Sequence, residues 1–169
     1  CDGGRLMKLH LAGVCYESIA DAKGVATTIF FSGCNHHCNL CHSRQTWDYT
    51  YGIEATDEII NMIRTEISKR PFVKTIVLSG GDPFCSATKV LEFLDKLNLS
   101  GYTIWAYTGY YIKDLLESTD DKRKLLDKCE YLVDGPFEVD KRDITLRFRG
   151  SSNQHIYHKE YDKWICSNI

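Results

Sequence analysis

The chemistry in this sequence is concentrated in one short stretch, Gly33-Cys34-Asn35-His36-His37-Cys38-Asn39-Leu40-Cys41. Three thiolates on one loop can bind three irons of a cubane cluster. The fourth iron is then left without a protein ligand, open to a small chelating molecule. Zinc takes the same soft ligands, so a zinc site of Cys34, Cys38, Cys41 and one of His36, His37 or His42 is the alternative. Structural zinc usually shows two separated ligand pairs, whereas here the candidates are bunched and no second cysteine pair follows downstream. The bunching favours the open cluster.

The chain has eight cysteines. No secretion signal opens the sequence, so a disulfide framework is not expected. Cys1, Cys15, Cys85, Cys129 and Cys166 are scattered, form no CxxC pair, and read as small apolar fillers. Three glycine-containing turns stand out. Leu78-Ser79-Gly80-Gly81-Asp82-Pro83 combines two residues that permit close backbone approach with a carboxylate. Tyr107-Thr108-Gly109-Tyr110 and Asp134-Gly135-Pro136 are the other two, each also readable as a turn bonded to its own backbone. Late in the chain, Lys141, Arg142, Arg147 and Arg149 concentrate positive charge around a polar turn, which reads as a solvated face or a docking surface.

These motifs need elements to hold them. Residues 25–31, 75–81, 103–109 and 131–135 are short apolar runs, the pattern of strands buried on both faces of a parallel sheet. Between them lie helical patterns. Thr56 can cap a helix with Asp57 and Glu58 in its first turn and Ile59, Ile60, Ile63 and Ile67 on one face. Ser86 can cap another, carrying Val90, Leu91, Leu94 and Leu97. A third follows Tyr110 with Ile112, Leu115 and Leu116, and a fourth covers 122–128. Alternation of this kind predicts an α/β fold: a partial (β/α) barrel or open sheet, mostly parallel, with right-handed crossovers and the site at the carboxyl ends of the strands.

The chain of 169 residues is expected to be a single domain, with residues 1–6 an added or trimmed end and Met7 a natural start. Apolar content of 43% and charged content of 26% are those of a globular protein. A formal charge of −2 lacks the basic excess that holds nucleic acid. No apolar stretch approaches the roughly 18 residues of a membrane span, so no membrane partner and a cytoplasmic location are expected.

CxxxCxxC after a strand resembles the signature of the radical S-adenosylmethionine superfamily. Together with Thr46-Trp47, Asp134-Gly135-Pro136-Phe137 and the stretch from Leu146 to His155, it is similar to the activating proteins of anaerobic ribonucleoside-triphosphate reductases, a family of glycyl-radical enzyme activases. The resemblance implies one 4Fe–4S cluster on Cys34, Cys38 and Cys41 and S-adenosylmethionine as the second cofactor. It implies reductive cleavage to a 5′-deoxyadenosyl radical, which takes hydrogen from a glycine on the reductase large subunit. A flavodoxin-type electron donor completes the partners. The implied cofactor contacts are Leu40, Cys41 and His42 beside the cluster, and Gly80, Gly81 and Asp82 at the methionine-binding turn. Thr108 and Asp134 would lie at its ribose or methionine end. Leu40 stands where relatives commonly carry an aromatic residue, and Asp82 where they often carry Glu. The competing readings are an activase for another glycyl-radical enzyme, of the pyruvate formate-lyase type, and a non-enzymatic iron–sulfur or zinc module.

Overall fold

The four apolar runs become the four central strands of one sheet. The computed structural model describes residues 8–167, so the expectations about Cys1, residues 1–6 and Met7 fall outside it. Its strands are β1 (His10–Ser18), β2 (Ala26–Phe31), β3 (Ile53–Glu54), β4 (Thr75–Gly80), β5 (Thr103–Tyr107), β6 (Tyr131–Asp134), β7 (His155–Glu160) and β8 (Lys163–Ser167). They lie in the order β3-β1-β2-β4-β5-β6-β7-β8. β2, β4, β5 and β6 pair in parallel, while the pairings of β1 with β2 and β3, of β6 with β7 and of β7 with β8 are antiparallel. The expected mostly parallel sheet is therefore corrected to a mixed one. Only three of seven pairings are parallel, and the linear order shows no barrel closure among the described residues.

Both flanks escaped the sequence patterns for local reasons. β1 pairs with β2 through register shifts at Leu11/Gly13 and Cys15/Ser18, which interrupt its alternation. β7 and β8 form a hairpin closed by Tyr161 and Asp162, both at positive φ (45° and 63°). Such turns usually announce themselves with Asn-Gly or Asp-Gly, absent here.

The helices are α1 (Asp57–Ser68), α2 (Ala87–Leu97), α3 (Ile112–Glu117) and α4 (Asp121–Asp127). Thr56 caps α1 as expected, its hydroxyl accepting from Ile59 N at 3.3 Å. Ser86 precedes α2 but makes no cap bond; Asp82 instead caps the 3-10 turn Pro83–Ser86 that leads into it.

β2, β4, β5 and β6 are laid down in chain order, and repeated right-handed crossovers without reversal send the helices to one face. There Ile29, Phe31, Ile76, Leu78, Ile104 and Leu132 pack against Ile60, Ile63, Val90, Phe93, Leu94 and Leu125. The alternate strand residues Val77, Trp105 and Val133 form a smaller cluster on the opposite face with Ala22, Ala26 and Ile156. Trp105 stacks on Tyr131 with ring centroids 4.5 Å apart. The strands are buried on both faces, but none of the residues packed on this second face comes from a helix.

Among the described residues no helix is long and apolar enough to cross a membrane, and every cysteine is free. Cys129 is the expected core filler, its thiol donating to Leu125 O. Cys15 and Cys166 are exposed, which corrects that reading for both. Truncating Leu78, fully buried under the helices, should cost about 2–5 kcal/mol. Cys166→Ala should stay within about 0.5 kcal/mol. Anaerobic denaturant unfolding of the reduced, cluster-free protein measures both, and equal costs would contradict this packing.

Candidate metal and cofactor site

Leaving β2, the chain turns at Gly33 into the cysteine loop, and backbone bonds pin both ends of it. Gly33 N donates to Thr46 O at 2.7 Å and Cys34 N to Trp47 O at 3.4 Å, both acceptors lying in the 3-10 turn Arg44–Trp47. From the end of β4, Gly81 N donates to Phe31 O and Asp82 N to Gly33 O, at 2.7 and 2.9 Å. The glycine pair is what allows this contact. A Cβ on Gly81 would sit 2.6 Å from Gly33 O, and one on Gly80, at φ +104°, 2.4 Å from Phe31 O. Their first role is to seat the β4 turn against the cysteine loop.

Within the loop, Cys41 N donates to Cys38 O at 3.1 Å, and His37 and Leu40 both adopt positive φ. Burial pushes the Cys38 thiol up from its ordinary range, and the Phe137 backbone N–H reaching that sulfur opposes the shift. The loop after β6 therefore touches the cysteine loop directly. Cys34 is 8% exposed, and the neighbouring Cys85 and burial both push its thiol up. Cys85 is shifted the other way, down, first by Cys34 and then by His36. The donor set fits an iron–sulfur cluster: three unpaired thiols on one pinned loop.

Asp82 lies at the centre of the neighbouring turn and is only 1% exposed. Its carboxylate accepts from Phe84 N (2.9 Å), Thr108 Oγ1 (2.9 Å), Gly109 N (2.9 Å) and His36 Nε2 (2.7 Å). Burial pushes its carboxyl up, and the His36 bond opposes that most strongly. The same bond, with Cys85, pushes His36 up to about 10.

A cleft of about 470 Å³ opens over the helix-free face at the carboxyl ends of the parallel strands. Phe30, Ser79, Gly80 and Tyr107 form its floor, Cys41 and His42 one rim, and Phe137, Phe148 and Arg149 the other. Of the expected cofactor contacts, Cys41, His42 and Gly80 line this cleft. Gly81, Asp82 and Thr108 stand together behind it, and Leu40 is 59% exposed. Asp134 lies apart; its carboxylate accepts from Ile112 N at 2.8 Å and His155 N at 3.2 Å, holding the turn that carries Phe137. Sequence patterns missed Phe30, Tyr107 and Phe148, which look like ordinary apolar residues. Arg149 was grouped with the surface charges, but it lines the cleft, donates to Gln154 O and leaves a buried Nε without a partner.

Residues 20–157 match the family described as "4Fe-4S single cluster domain". Proteins named anaerobic ribonucleoside-triphosphate reductase-activating protein are similar over most of the chain. The one from Escherichia coli (strain K12) is 34% identical across 83% of this chain and 92% of its own. The corresponding figures for Pasteurella multocida (strain Pm70) are 31%, 82% and 90%. The chain belongs to this family. A counterpart from Enterobacteria phage T4 is 26% identical, covering 83% of this chain and 88% of its own. The 4Fe-4S family match spans both the cysteine loop and the Asp82 turn.

Two outcomes test the buried carboxylate. Asp82→Ala strands His36, Thr108 and two backbone N–H groups, and should cost about 3–5 kcal/mol of stability. His36 titrates far above its ordinary 6.5 while folded. Its contribution is therefore complete below about pH 6.5 and lost as the pH climbs toward about 10. Unfolding of reduced, cluster-free protein should show a steeper alkaline loss in the wild type than in His36→Gln. Parallel profiles would remove the ion pair, with Cys34 and Cys85 the other titrating groups facing it.

Proposed function

We propose that this chain activates an anaerobic ribonucleotide reductase as a radical S-adenosylmethionine enzyme, with a 4Fe–4S cluster on Cys34, Cys38 and Cys41. The observation that carries the reading is the cleft itself. It lies at the carboxyl ends of the parallel strands, with a cluster cysteine on its rim and apolar walls above it. When bound and reduced, the cluster supplies the electron that cleaves S-adenosylmethionine to methionine and a 5′-deoxyadenosyl radical, which takes hydrogen from a glycine of the reductase large subunit.

The protein's share is binding, orientation and exclusion of water. Phe30, Tyr107, Phe137 and Phe148 present apolar surface to the adenosine. Gly80 brings backbone to the cleft floor, and His42 stands beside Cys41. Asp82, with Thr108 keeping its carboxylate aligned, would be the group to hold the ammonium of the methionine moiety. The unpartnered Nε of Arg149 serves the ligand's carboxylate. Asp134 acts one step back, by fixing the turn that presents Phe137 to Cys38. Leu40, exposed at the loop tip, faces the adenine or the incoming partner. A flavodoxin-type protein delivers the electron.

Anaerobically reconstituted protein given dithionite and S-adenosylmethionine should release 5′-deoxyadenosine, and a cluster-loaded wild type that releases none would sink the proposal. Cys38→Ala should abolish the reaction. Arg149→Gln should weaken binding of the cofactor about tenfold or more, the worth of one charge-assisted hydrogen bond of roughly 1.5–3 kcal/mol. Arg147, exposed over the Phe148 ring, is the contrast. Arg147→Glu should spare 5′-deoxyadenosine release and reduce only the glycyl-radical signal of the reductase in electron paramagnetic resonance, more so with added salt.

A further inference from the structure

Cys85 was expected to be a filler, yet it ends among three ligating groups. In the 3-10 turn Pro83–Ser86 and its cap, side chains three residues apart share a side, so Asp82 and Cys85 face the same way. Cys85 N donating to Asp82 O at 3.0 Å closes that turn. Cys34 and His36 arrive from the cysteine loop, which Asp82 N holds through Gly33 O. His36, Asp82 and Cys85 thereby offer a nitrogen, an oxygen and a sulfur that all lie within 4.8 Å of one another. Cys34, buried on the same loop two residues before His36, is the neighbour that most strongly lowers the Cys85 thiol.

These residues fall into two short pairs on separate strand-end loops, Cys34-x-His36 and Asp82-x-x-Cys85. Structural zinc sites likewise draw on two separated pairs, which the cysteine triplet lacks, although the Cys34-x-His36 spacing is one residue shorter than their usual pairs. We propose that His36, Asp82 and Cys85, completed by Cys34 from the same loop as His36, form a second metal site for a borderline-soft divalent cation of the zinc class. Two thiolates, an imidazole and a carboxylate are the ligand types such an ion takes, whereas magnesium or calcium calls for oxygen throughout. The outer partners are already in position, since Phe84 N, Thr108 Oγ1 and Gly109 N orient the Asp82 carboxylate. Cys38 and Cys41 take no part. On the reading that Cys34 is also a cluster ligand, the two sites exclude each other, and the ion keeps the loops closed in the cluster-free chain.

The test is a zinc titration of the full chain, reduced and stripped of metal under anaerobic conditions, against a chromophoric chelator. Cobalt serves as the spectroscopic probe of tetrahedral thiolate ligation. One equivalent should bind, and Cys38→Ala should bind as the wild type does. Cys85→Ala and, independently, His36→Gln should each lose more than the roughly tenfold affinity that removal of an outer-shell partner costs. Cys85→Ala should still take up iron and sulfide in reconstitution. Zinc-loaded wild type should take them up only after chelation. Binding lost with Cys38→Ala, or unchanged in both Cys85→Ala and His36→Gln, would place the ion on the cysteine triplet and overturn the proposal. Loss of zinc and cluster together in Cys85→Ala would overturn it as well. Absence of 5′-deoxyadenosine from the wild type would instead defeat the activase reading and leave the titration standing.

Discussion

One carboxylate, sealed from solvent at the end of β4, organises the loops that carry the chemistry. Asp82 collects hydrogen bonds from its own turn (Phe84), from the end of β5 (Thr108 and Gly109) and from the cysteine loop (His36). A buried charge is tolerable only where such donors converge, and each donor in turn fixes the segment that bears it. Its backbone N–H does the same for Gly33, at the root of the cysteine loop. The cysteine loop, the β4 turn and the β5 turn are thus set relative to one another by a few polar contacts at one point.

The sheet decides where that point can be. Because β2, β4, β5 and β6 are added in order with their helices on one side, the other side of their carboxyl ends is free for a cleft. It is walled by the chain's irregular parts, the loop at Ala20–Asp21 and the late loop from Leu146 to Gly150. Arg149 illustrates the outcome. Its charge suggested a surface role, but the late loop folds over the cleft and carries the guanidinium inward.

Where the sequence was legible, a local pattern matched a local cause. The continuous apolar runs marked the central strands because those residues are buried on both faces, and Thr56 marked the start of α1 because its hydroxyl caps it. The cysteine triplet was legible because its members share one loop. The flanking strands were not: β1 is broken by register shifts, and the β7–β8 turn uses Tyr161 and Asp162 in place of glycine. Cys85 was the larger omission. Its relation to Cys34 and His36 exists only across the β2–β4 pairing, and no spacing along the chain encodes that. Asp82 and Thr108 were picked out for ligand binding without any sign that they bond to each other.

The strand order also bears on how the sheet can be assembled as the chain emerges. After β2, each strand from β4 to β8 finds its neighbour already in place, since spatial order follows chain order to the far edge. Strand pairings then never wait for a distant partner, which shortens the loops that must close at each step. The cysteine loop is synthesised between β2 and β4, before Asp82, Cys85 and Thr108. For that interval the Cys34 thiol stands without the β4 turn whose Asp82 N later holds the root of its loop, while Cys38 waits longer still, for the loop after β6.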